Sequence, residues 1–169
     1  SVPGLVLWLD ASTLNQADGS VVSGLTDLSP QHNNAVATGS PTFTVNGLGG
    51  KGTINFSGAE NLVTTSQIGI SGGASRSMFV VMRRNGDEAS GVFAIQMGGN
   101  TNYHGWGVVS QPDWFGTYVI GIGGAQDTPR DAGEFGLYDC MHLHGVPVDG
   151  GTNMLYVDGE YISSGTNGG

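Results

Sequence analysis

The densest chemistry in this sequence lies in "GGNTNYHGWGVVSQPDWFGTY", residues 98–118. Tyr103, His104, Trp106, Trp114, Phe115 and Tyr118 are interleaved there with Asn100, Asn102, Gln111 and Asp113. Aromatic faces stack on the apolar C–H side of a sugar ring, while amides and carboxylates bond its hydroxyls, so this mixture suits carbohydrate recognition. Asn100, Asn102, Tyr103, His104, Asp113, Trp114 and Tyr118 are the candidate ligand-binding residues. Trp106, inside "GWGV", reads as strand packing, whereas Trp114, flanked by Pro112, Asp113 and Gly116, reads as exposed on a loop.

Three other chemistries are weaker in the sequence. "MHLHG" puts His142 and His144 two residues apart, on one face if the segment is a strand, which is a geometry metals use. With no third His close in sequence, the pair reads as structural histidines rather than a zinc site. Calcium takes hard oxygen ligands. Asp127 and Asp131 in "GAQDTPRDAGE" (124–134), with Asn100 and Asn102, supply such oxygens if those segments are loops, although no D-x-D-x-D-G pattern is present. A glycosidase needs two carboxylates flanking the scissile bond. Glu134 with Asp139, or Asp87 with Glu88, come nearest and lack the E-x-D-x-x-E spacing that would put such a pair on one face of a strand. No G-x-S-x-G elbow supports a serine nucleophile. An enzyme acting on polysaccharide therefore ranks third, behind a recognition module and a structural one.

The elements that must position these residues are β-strands. With 169 residues, the chain has room for one domain with a real core. Thirty-one glycines and only 11% charged residues do not resemble a helical protein. Strands are expected at 4–11, 52–56, 77–84, 91–98, 105–110, 117–123 and 135–146, with a hairpin at 153–165. Asp158-Gly159 separates the hairpin's two arms, and both residues tolerate the positive φ of a type I′ turn. Residues 16–50 read as long connections anchored in the core by Leu25, Leu28, Ala35 and Phe43. Trp8 is expected inside an apolar opening strand.

The net charge of −9 repels phosphate backbones and anionic lipid, so nucleic acid is not an expected partner. No apolar run is long enough for a membrane-spanning helix, and no membrane insertion is expected. Cys140, the sole cysteine, forms no internal disulfide or thiolate cluster and is expected to be a small buried residue.

"LVLWLDAS", "DGSVVSGLTDLSPQHNNA", "NGLGGKGTINFSGAENLVT", "RSMFVVMRR" and "HLHGVPVDGGTNMLYVDGEYISSG" together resemble the laminin-G-like, concanavalin-A-like domains of bacterial and viral surface proteins. Leu25 and Pro30 stand where that family often has Trp and Gly. The resemblance implies an all-β fold, a two-sheet antiparallel jelly-roll sandwich, with residues 1–169 as a single domain. It implies an extracellular or surface-exposed setting: cell surface, secreted or virion. It makes "LYVDG" a fold-defining hairpin with Leu155 and Val157 inward, and allows a calcium ion at the sandwich rim. The family continues past that hairpin with strands that return beside the opening one, so a strand-completing partner chain or oligomer is expected. The partners implied are carbohydrate or another protein chain. The leading function is a non-catalytic recognition module for carbohydrate, and the alternative is a structural or adhesive module of a filament, fibre or capsid decoration.

Overall fold

The computed structural model describes residues 2–70, 73–83, 92–97, 106–111, 114–121, 124–131, 139–146 and 151–166, with backbone alone for 92–131 and for 139, 141, 162, 163, 165 and 166. The described residues are all-β, with every strand pair antiparallel. One 3-10 turn, Ala11–Thr13, is the sole helical element among them. The Asp10 carboxylate caps it by accepting the Ser12 N–H at 2.9 Å. The chain divides into two compact units, Ser1–Ile70 and Ser71–Gly169.

The first unit holds β1 (Gly24–Leu25), β2 (Ala35–Thr38), β3 (Thr42–Leu48), β4 (Lys51–Asn55) and β5 (Asn61–Thr64). They form a three-stranded sheet in the order β1-β2-β5 and the hairpin β3-β4. Gly49 and Gly50, at φ 53° and 75°, close that hairpin with the left-handed backbone a two-residue turn requires. Val22, Leu25, Ala35 and Phe43 are buried. Three of the four expected anchors are therefore internal. Leu28 is not: it is 40% exposed. Residues 16–50 also contain three strands where long connections were expected. β1 and β2 are too short to show a period-2 signal, and Asn46-Gly47 interrupts it in β3.

The opening segment departs most from expectation. Residues 5–8 carry no strand ladder, and only Leu9 bridges, antiparallel, to Asp27. Trp8 is 51% exposed rather than internal. The segment is held by a buried carboxylate instead. Asp27 accepts the backbone N–H of Trp8 at 2.7 Å, of Ser29 at 2.9 Å and of Asn33 at 2.6 Å, together with the Ser29 hydroxyl at 2.7 Å. The Asn33 amide donates to the Val6 carbonyl at 3.0 Å and accepts from the Ser66 hydroxyl at 2.9 Å. Burial alone would raise the Asp27 pKa. The Ser29 hydroxyl and the three backbone donors outweigh it and hold the carboxyl below its ordinary 3.8.

The second unit holds β6 (Arg76–Met82), β7 (Val92–Met97), β8 (Trp106–Gln111), β9 (Trp114–Gly121), β10 (Gly124–Asp131), β11 (Asp139–Gly145), β12 (Thr152–Val157) and β13 (Glu160–Thr166). They make two four-stranded sheets, β10-β9-β8-β7 and β13-β12-β11-β6. In the latter, Met78, Leu143, Leu155 and Val157 are buried on one face. Leu155 and Val157 point inward as expected. The hairpin is also as expected, with Asp158 at φ 51° and Gly159 at φ 86° between β12 and β13. Asp158 extends the pairing beyond the turn: its N–H donates to the Cys140 carbonyl at 2.8 Å and its carboxylate accepts the Cys140 N–H at 2.9 Å. Cys140 is exposed, not buried, because strand alternation puts it on the face opposite the buried Leu143.

Candidate functional site: an aromatic row on a sheet face

The alternation that buries Leu143 and Leu155 sends their neighbours to the other side of the same sheet. Phe79 of β6 and His142 of β11 are register partners, and their rings stack with centroids 4.1 Å apart and 8° between planes. His142 pairs in turn with Tyr156 of β12, at 5.2 Å and 20°. Tyr156 pairs with Tyr161 of β13, at 5.6 Å and 68°. One continuous row of four rings therefore crosses all four strands.

The geometry of the row decides what it offers. Adjacent strands lie about 4.8 Å apart, so rings stacked face to face at that spacing stand on edge across the sheet. Ring edges form most of the outer surface, and ring faces are offered only at the ends. Phe79 is 68% exposed and Tyr161 is 56% exposed, on the two outer strands of the sheet. Val81, 63% exposed, extends the apolar surface along β6.

Polar groups flank the row. His144 Nδ1 lies 2.8 Å from the Ser77 hydroxyl, and the Tyr161 hydroxyl donates to Ser164 Oγ at 3.0 Å. The Tyr156 hydroxyl donates to Met154 Sδ at 3.8 Å. His142 differs: its Nε2 is buried and has no hydrogen-bond partner among the described residues. Desolvation, and then repulsion from His144 with its ring centroid 6.3 Å away, lower the His142 pKa from its ordinary 6.5. Both effects favour the neutral imidazole at this position. Within the strands, the described residues of this face, Ser77, Phe79, Val81, Cys140, His142, His144, Thr152, Met154, Tyr156, Tyr161 and Ser164, include no acid, lysine or arginine, while Arg83 and Asp158 continue the same alternation just past the ends of β6 and β12.

His142 and His144 share a strand face, as their spacing predicts. No group of three or more His, Cys, Asp or Glu suited to hold a metal occurs among the described residues. Asn100, Asn102, Tyr103, His104 and Asp113 lie outside the described residues. Trp114 and Tyr118 lie on β9, rather than Trp114 on a loop. Their partners across β9 and β10 are Asp131 and Asp127. Those two aspartates therefore stand on a strand and not on the loop expected to fold around calcium. Phe79, Tyr156 and Tyr161 are the residues that sequence reasoning missed. A usable signal was present, because a two-residue Asp158-Gly159 turn places Tyr156 directly opposite Tyr161.

No helix among the described residues is long and apolar enough to cross a membrane. No family model, curated protein or solved structure matches the chain.

Proposed function

We propose that this chain is a non-catalytic, surface-exposed recognition module that binds neutral carbohydrate on the outward face of the β6-β11-β12-β13 sheet. The observation that carries the reading is the row of rings from Phe79 to Tyr161, with both end rings exposed. Exposed rings beside hydroxyls and imidazoles are the combination that takes the apolar face of a sugar together with its hydroxyls. A chain of net charge −9 disfavours sulfated or uronic-acid glycans. The antiparallel sheets and the family resemblance favour a laminin-G-like jelly-roll sandwich in an extracellular or virion-surface setting.

A second reading has its own observation. Residues 5–8 carry no strand ladder. A structural or adhesive module would use that segment, or the outer strand β6, to pair with another chain by strand addition.

The test is a glycan array with neutral and anionic members, run with calcium and with a chelator, alongside solution mass. Binding of neutral glycans by a monomer supports the first reading, and any loss in chelator would show that calcium takes part. A defined oligomer with no glycan binding favours the second.

A further inference from the structure

We infer that His142 makes this face acid-sensitive: on protonation the imidazole leaves its place between Phe79 and Tyr156, the aromatic row breaks, and bound ligand is released. The release rests on the proposed recognition role of the face, while the opening of the stack does not.

His142 is the inner member of a stack, with Phe79 at 4.1 Å on one side and Tyr156 at 5.2 Å on the other. Its buried Nε2 has no hydrogen-bond partner. A neutral imidazole tolerates that position, since one ring nitrogen then carries no proton. An imidazolium donates from both nitrogens, so Nε2–H would be a buried charged donor without an acceptor.

The surrounding groups offer the imidazolium no counter-charge. From β6 the described neighbours on this face are Ser77, Phe79 and Val81, none of which titrates near neutrality. From β11 come the Cys140 thiol and His144, and His144 adds like charge when it protonates. From β12 the titratable group is the Tyr156 phenol, whose hydroxyl donates to Met154. From β13 it is the Tyr161 phenol, whose hydroxyl donates to Ser164. The nearest turn carries Asp158, whose carboxylate is engaged by the Cys140 N–H, and Glu160, opposite Val157. An imidazolium satisfies Nε2–H by turning out to water, and this separates Phe79 from Tyr156.

One force opposes this. Two ring faces attract a cation, and a stacked imidazolium would gain from both. The two forces predict opposite signs. Desolvation with a missing acceptor puts the His142 midpoint below 6.5, and cation–π holding would put it above.

The experiment is an NMR titration of the full chain from pH 8 to 4.5. It follows His142 Cε1–H, His144 Cε1–H and the Phe79 and Tyr156 ring protons. The inference expects a His142 midpoint below 6.5, with the ring-current shifts of Phe79 and Tyr156 lost at that same midpoint. A midpoint at or above 6.5, or ring-current shifts that persist through the titration, overturns it. A neutral glycan taken from the array is then titrated at each pH. Below the midpoint its affinity should fall by up to roughly tenfold per pH unit, as the competent fraction falls. His142→Phe, which keeps a stacked ring and removes the titration, should abolish that dependence, and an equal dependence in His142→Phe overturns the release step. His142→Tyr serves the same purpose if the Phe variant misfolds. An array with no binder ends the recognition reading, while the NMR midpoint still decides whether the stack opens.

Discussion

The backbone N–H of Trp8 donates to the Asp27 carboxylate at 2.7 Å, while the Trp8 side chain itself is 51% exposed. The opening segment is thus tied down through its main chain by a buried acid, not through the packing of its largest side chain. Removing the charge should cost far more than removing the ring. Asp27→Asn keeps the shape but turns an amide N–H toward donors, and should cost about 2–4 kcal/mol. Trp8→Ala should cost about 1 kcal/mol or less, as half-exposed substitutions do. Urea unfolding of the two variants measures both.

The pH dependence of stability follows from two groups whose pKa values are lowered in the fold. Asp27 contributes stability that is complete above its ordinary 3.8 and is lost as pH falls below that, through its depressed folded value. His142 is also depressed, but as a base: between its folded value and 6.5 the unfolded chain binds the proton and the folded chain does not. Stability should therefore begin to fall below pH 6.5 and again below 3.8. Thermal melts across pH should show the upper step vanish in His142→Phe and the lower one in Asp27→Asn.

Gly24 offers a test of close packing in the first unit. A Cβ there would strike the backbone carbonyl oxygen of Ala35 across the β1–β2 pair, which has no side-chain freedom to yield. Gly24→Ala should cost about 1–3 kcal/mol through forced strand separation. Gly4→Ala is the control for backbone strain alone, since Gly4 has φ 77° and nothing within 4 Å of its added Cβ.

At the hairpin, Asp158→Ala loses two things: a residue that tolerates φ 51°, and the acceptor for the Cys140 N–H. The expected cost is about 1–3 kcal/mol, with Asp158→Asn much milder because Asn accepts both the conformation and the bond. Amide exchange at Cys140 should quicken in the Ala variant and stay slow in the Asn variant.

These cases show why some features were legible and others were not. The Asp158-Gly159 hairpin and the inward Leu155 and Val157 follow from local rules, since turn chemistry and period-2 alternation act over a few residues. The strand expected at 135–146 is present over its described part, β11 at Asp139–Gly145, while residues 135–138 lie outside the described residues. The exposure of Trp8 and Cys140 does not follow from such rules. Burial depends on which partner covers a face, and a run such as "LVLWLD" does not say whether a neighbouring strand is there. The Asp27 cluster joins residues 19 positions apart in sequence through a side chain, a link no periodicity encodes. The aromatic row needed the β6–β11 register, which a connection of more than fifty residues leaves open. Only its Tyr156–Tyr161 half followed from a turn.

The measurement that bears most directly on the proposed recognition face is the affinity of a neutral array-derived glycan for four forms of the chain: unmodified, Phe79→Ala, Tyr161→Ala and Trp114→Ala. If the row is the platform, Phe79→Ala and Tyr161→Ala should each weaken binding by about 0.5–1.5 kcal/mol, or two- to twelvefold, with the melting curve little changed because both rings are exposed. Trp114→Ala should bind as the unmodified chain does. The opposite pattern, with Trp114→Ala weakened and the Phe79 and Tyr161 variants unaffected, would contradict the account and move the site to β9.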